Sequence, residues 1–190
     1  MFTRFRPISL PLGRHARRRG PSILYHSLSS AECDAFARDG FVIVRNLLSA
    51  EEVDVVRQAI EQDASLSDAG NTILLNDEAG GHTQLNLWSK PGDGALGLLV
   101  RSQRVVGAME KLLARPMADE ARCDVVHYHS KTLNKEPNRG GVWNWHQDYG
   151  YWYKDFFLTP DMLTAYFAID RQTMDNGCIK LLKGLTWPSP

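Results

Sequence analysis

Helical signals as far as Leu113, followed by a run of short strands, predict an α+β chain whose second half is a sandwich or barrel. Three observations carry this. Two capping-box sequences open the chain, apolar residues recur at threes and fours towards Leu113, and beyond Cys123 β-branched and aromatic stretches are divided by Pro, Gly and Asp.

Ser29 with Glu32 makes the first capping box, Phe36 and Ala37 supply an apolar side, and Gly40 is placed to end a helix over roughly residues 30–39. Phe41 to Val44 reads as a buried strand. Ser49 with Glu52 starts a second helix, carrying Val53, Val56 and Ile60. Residues 65–94 are rich in Gly, Asn and Asp and read as loop with short strands at Ile73–Leu75 and Leu85–Trp88. One helix is expected from Ala95 to Leu113, ended by Pro116. Strands are expected at Val125–Leu133, Gly141–Trp145, Met162–Ile169 and Cys178–Leu182.

The formal charge balances, 22 basic against 22 acidic residues, but unevenly. Arg4, Arg6, Arg14, Arg17, Arg18 and Arg19 form a basic leader over residues 1–20, and no acid precedes Glu32. Setting those six aside leaves 16 of the 22 basic residues against all 22 acidic ones. Residues 21–190 therefore lack the positive balance that drives nucleic-acid binding, and no such partner is expected. The leader has the composition of a mitochondrial transit peptide, although Pro7 and Pro11 interrupt an amphipathic helix; the location expected is mitochondrial or cytoplasmic. No apolar run is long enough for a bilayer, so no membrane partner is expected. Cys33, Cys123 and Cys178 are odd in number and scattered, which suits a reducing compartment better than a disulfide framework.

Chemistry concentrates at Trp145-His146-Gln147-Asp148-Tyr149. Residues two apart on a strand share a face, so His146 and Asp148 could aim an imidazole nitrogen and a carboxylate oxygen at one point. One more His would complete a two-His, one-carboxylate facial triad, which leaves open positions for a 2-oxo acid and O₂ on iron(II). Taken alone, the pair reads more readily as a surface or core His beside a turn Asp, because His-x-Asp arises often by chance. Tyr149, Tyr151, Trp152 and Tyr153 follow directly, an aromatic wall able to exclude water, with Trp152 placed nearest a substrate and Tyr149 beside it. Some of these are expected simply to pack the barrel, and Trp143 and Trp145 read as core. His127 and His129 share a strand face and read as structural; either is also a candidate for a third ligand.

The residues around the pair extend the argument. Gly140-Gly141, Trp145 to Trp152, Pro160-Asp161-Met162, Ala168-Ile169-Asp170 and Asn176-Gly177-Cys178 together resemble the phytanoyl-CoA dioxygenase family. Upstream, Asp39-Gly40-Phe41-Val42 and Leu47 to Glu52 resemble its N-terminal entry, so the resemblance spans about residues 30–184. It implies a double-stranded β-helix, the cupin-like jelly roll, preceded by helices, with His146 and Asp148 as two of three iron ligands. It also implies Lys131, on a strand running from His129 to Lys135, as a contact for 2-oxoglutarate. Thr164 on the next strand and Gln147 between the ligands are carried over as cosubstrate-facing. The activity implied is an Fe(II)- and 2-oxoglutarate-dependent dioxygenase that uses O₂, with ascorbate as reductant, and hydroxylates a small organic or acyl molecule while releasing succinate and CO₂.

After Leu182-Lys183-Gly184 the family pattern continues as Ser-His, whereas this chain reads Leu185-Thr186-Trp187-Pro188-Ser189-Pro190. The fold is thus expected to be incomplete at the C-terminus, without the distal His and the Arg that pairs with 2-oxoglutarate. Open strand edges would then favour self-association. The alternative expectation is a catalytically inactive or regulatory fragment of such an enzyme; a cupin-like binder using another metal is a third.

Overall fold

The computed structural model describes residues 27–63, 72–77, 80–114, 125–135, 138, 141–155 and 157–184, together with a short N-terminal strand. That strand is β1 (Phe2–Arg4). There follow α1 (Ser30–Asp39), α2 (Ala50–Gln62), β2 (Thr72–Asn76), β3 (His82–Trp88), α3 (Ala95–Arg101), α4 (Gln103–Leu113), β4 (Val125–His127), β5 (Ser130–Lys135), α5 (Asp148–Trp152) and β6 (Met162–Leu163). The strands make two antiparallel three-stranded sheets, in the orders β4-β1-β6 and β2-β3-β5. The α+β class holds; among the described residues the sheets do not close into a roll.

The first two helices begin as their sequences demand. Ser29 Oγ accepts from Glu32 N–H at 3.2 Å while Glu32 Oε2 accepts from Ser29 N–H at 2.7 Å, and Ser49 and Glu52 repeat the exchange at 3.2 and 2.8 Å. Each box satisfies two N–H groups that the first helical turn leaves open. Gly40, at φ +82°, closes α1 in the left-handed conformation, with its N–H donating to Phe36 O. Phe41–Val44 forms no strand, and Ile43 is 64% exposed. A β-branched run makes a strand only where a neighbour offers a ladder, and among the described residues none reaches it.

The single helix expected over Ala95–Leu113 is two, because Ser102 is extended (ψ 143°) and serves as the end of α3 and the N-cap of α4. Pro116 lies outside the described residues. Along α4, Val105 and Met109 are buried, packed against Leu47, Leu99, Val125, Leu163 and Phe167, so this helix covers one face of the β4-β1-β6 sheet. Arg104 on the same helix donates to Leu47 O at 2.7 Å and to both carboxylate oxygens of Glu52, tying α4 to the start of α2. On α2, Arg57 donates to Ile169 O at 3.0 Å and pairs with Asp170.

The second sheet is registered by polar side chains on one face. Asn86, 6% exposed, accepts from Thr72 Oγ1 at 2.9 Å and donates to Thr132 Oγ1 at 3.2 Å, so β2, β3 and β5 are cross-linked in line. A slip of one residue would leave these buried groups unpaired.

The expected strand Val125–Leu133 is broken at residues 128–129 into β4 and β5, which belong to different sheets. His127 and His129 therefore do not share one strand face. Gly141–Trp145 runs extended without a ladder, only Met162–Leu163 of the expected Met162–Ile169 is strand, and Cys178–Leu182 is irregular.

Candidate functional site

His146 ends the extended segment 141–147 and Asp148 is the first residue of α5, so the pair does not sit on a strand. A turn into the helix brings the two together instead: His146 Nε2 lies 3.3 Å from Asp148 Oδ1. His146 Nδ1 is 2.7 Å from Asn144 O, and a carbonyl can only accept, so Nδ1 carries a proton and Nε2 is the nitrogen that faces the carboxylate. Two electron-rich atoms that close repel each other unless a proton or a metal cation lies between them. Both side chains are about one-third exposed, so the pair opens to a ligand.

Of the other candidate residues, Thr164 lies just past β6 and its Oγ1 donates to Asp148 Oδ2 at 3.5 Å. Lys131, on β5, places its ammonium 5.9 Å from the centre of the Trp143 ring, and that ring lies 5.6 Å from the His146 imidazole. Tyr151 stands at 5.9 Å from the same imidazole. Trp152 packs edge-on to His129 at 5.0 Å and to Tyr128 at 5.7 Å, and its Nε1 is buried without a hydrogen-bond partner among the described residues. Tyr149 turns away along the helix: its hydroxyl donates to Phe157 O at 3.1 Å and its ring neighbours Tyr153. Gln147 is exposed and its side chain makes no capping bond to α5.

Several sequence expectations are corrected here. Trp145 is 63% exposed rather than core, and Trp143 is half-buried against Lys131 and His146. Of the aromatic run, where one alternate set was expected to pack, Tyr149 and Trp152 are half-buried and Tyr151 and Tyr153 exposed, although a helix rather than a strand sets them. Tyr128 and Phe157, 4.9 Å apart, build the wall with Trp152 and were not singled out from the sequence. The signal available for Tyr128 was its place between two histidines.

His129 is the buried imidazole of the site, 6% exposed. Burial holds its pKa down to about 4; the nearby positive charge of Lys131 adds to this and Asp148 opposes it. Burial lowers the His127 pKa too. Among the described residues no three His, Cys, Asp or Glu side chains gather closely enough to hold a metal, so His146 and Asp148 stand as a two-donor set. A separate pocket, lined by Ala59, Asp63, Trp88, Lys90, the 91–94 turn and the start of α3, shares none of these residues. No helix among the described residues is long and apolar enough to cross a membrane.

The pattern has counterparts in known proteins. A model of the phytanoyl-CoA dioxygenase (PhyH) family matches residues 36–184. The chain is 28% identical over 162 residues to an L-proline trans-4-hydroxylase of Streptomyces griseoviridis, covering 83% of this chain and 56% of that protein. It is 27% identical over 175 residues to an ectoine dioxygenase of Nocardia farcinica, covering 90% and 55%. A third relative, the ectoine dioxygenase of Stutzerimonas stutzeri, is 26% identical over 164 residues, covering 80% and 48%. The chain spans about half the length of these curated relatives. With the match running from within α1 to Gly184, through α2 to α5, β2 to β6 and the His146–Asp148 pair, the chain belongs to the phytanoyl-CoA dioxygenase family.

Proposed function

We propose that this chain forms the iron(II)- and 2-oxoglutarate-binding part of a dioxygenase that hydroxylates a small organic or acyl substrate, releasing succinate and CO₂. The single observation that carries the reading is the 3.3 Å approach of His146 Nε2 to Asp148 Oδ1. Neighbouring ligands of a six-coordinate ion, with bonds of about 2.1 Å, lie about 3 Å apart, so the two donors fit one cation. Iron(II) held there would supply activation of O₂ and the oxidative decarboxylation of 2-oxoglutarate.

The chain's own residues do the rest. Asn144 O fixes the His146 tautomer, and Thr164 Oγ1 holds the outer oxygen of Asp148, leaving the inner one for the ion. The Lys131 ammonium supplies positive charge for a cosubstrate carboxylate, and Gln147 stands exposed between the ligands. Trp143 and Tyr151 flank the His146 imidazole, and the buried Trp152 Nε1–H, on the ring that packs against His129, is placed to donate to a bound molecule. The relatives' names, a proline hydroxylase and ectoine dioxygenases, favour a small organic substrate.

The other reading is a catalytically inactive or regulatory fragment, favoured by the two-donor set among the described residues. Titration of the protein with iron(II) and 2-oxoglutarate, followed by the visible charge-transfer band and by succinate formation, separates the two. The dioxygenase reading expects both signals, their loss in His146→Ala, and a greater loss of cosubstrate than of metal affinity in Lys131→Ala. Equal iron affinity in the wild type and His146→Ala refutes the site.

A further inference from the structure

One carboxylate outside the ligand pair joins two segments far apart in the chain. Asp77, at the end of β2, accepts from Gly81 N–H on Oδ1 at 2.6 Å and from Val142 N–H on Oδ2 at 2.8 Å. It thereby bridges the β2–β3 turn to the start of the extended segment that ends at His146. The backbones meet closely enough to allow this because Gly81 and Gly141, which face each other there, carry no side chain. A Cβ on Gly81 would lie 2.8 Å from Gly141 Cα, and one on Gly141 would lie 3.0 Å from Gly81 O. Gly141 N–H donates to His82 O at 3.0 Å, and among the described residues this is the one backbone–backbone hydrogen bond that segment 141–147 donates.

We propose that Asp77 is a positioning residue for the His146–Asp148 pair, its carboxylate fixing the origin of the segment whose far end carries the imidazole. The proposal rests on the reading of that pair as metal-binding. From Val142 to His146 an extended backbone spans about 13 Å. A rotation of about 2° at its origin moves the imidazole by about 0.5 Å, the tolerance within which a ligand constellation must be held. Bonds to a charged acceptor are the stronger kind, and one carboxylate serving both segments moves them as a unit. Trp143, against Lys131 and the imidazole, steadies the segment midway, while at its origin Asp77 adds a charged acceptor to the neutral bonds that Gly141 donates to His82 O and accepts, at 3.4 Å, from Thr83 Oγ1.

The test uses the full chain as wild type, Asp77→Ala, Asp77→Asn and His146→Ala. Two readouts are taken: amide hydrogen exchange over residues 141–147 and cobalt(II) affinity followed by visible absorption. Exchange in the β3–β5 ladder reports whether each variant is folded. In Asp77→Ala, exchange over 141–147 should accelerate by about 5–30-fold with the ladder unchanged. Cobalt affinity should fall by about tenfold or more. Asp77→Asn keeps one acceptor oxygen and should fall between, and it decides the matter if the alanine variant loses the ladder.

Unchanged exchange overturns the clamp. Accelerated exchange with wild-type cobalt affinity, while His146→Ala binds weakly, overturns the positioning role and leaves the metal site standing. Cobalt affinity equal in the wild type and His146→Ala fells the metal reading and the positioning role with it, and exchange then reports on the clamp alone.

Discussion

Acidification puts the buried imidazole of His129 to a quantitative test. Burial, the largest cause, holds this pKa at about 4 against the ordinary 6.5. Between those values the unfolded chain binds a proton at this side chain and the folded chain does not. Stability therefore falls as pH drops through the window from 6.5 to 4, and this group contributes no further change above or below it. At 1.36 kcal/mol per unit, the gap corresponds to about 3 kcal/mol, a large share of the 5–15 kcal/mol that typically holds a domain together. His127, also lowered by burial, acts in the same direction. Urea unfolding followed by circular dichroism in steps from pH 7.5 to 4, on wild type and His129→Leu, isolates the contribution. The wild type should lose about 3 kcal/mol more than the variant across the window. Parallel curves would refute the burial argument and move His129 out of the aromatic wall formed with Tyr128 and Trp152.

Two further outcomes follow from single contacts. Glu52→Gln keeps the capping box but removes the charge facing Arg104, which holds the Glu52 pKa at about 2. With the carboxylate 42% exposed, water screens the pair, so the loss at pH 7 is about 1 kcal/mol. This stability is present above the ordinary carboxylate pKa and is lost as pH falls towards 2, so denaturation curves of variant and wild type should converge there. Gly97→Ala would gain about 1 kcal/mol if helix propensity alone decided. Its Cβ would instead lie 2.1 Å from Gly92 O and 2.5 Å from Pro91 O, both backbone atoms, so a loss of about 1–3 kcal/mol is expected by thermal unfolding. A neutral or stabilising result would deny that close approach.

What the amino-acid sequence determined by itself is local. The starts of α1 and α2 and the end of α1 at Gly40 were legible because the hydrogen bonds that define them join residues only three or four apart. Family membership was legible because several spaced motifs stand in order, and the His146–Asp148 proximity because two residues separated by one cannot lie far apart. The reason expected for that proximity was wrong: a turn into α5, not a shared strand face, brings the side chains together. The break of one helix at Ser102 is local too, since Ser102 Oγ caps Val105 N–H three residues on, and went unread; tertiary structure alone decided the loss of a strand at Phe41–Val44 and the division of residues 125–135 between two sheets. It alone brought Asp77 to Val142 and Thr164 to Asp148. Such contacts depend on which surfaces pack together rather than on any short-range pattern, so β-branched and aromatic runs could announce a strand without naming the partner that would make it one.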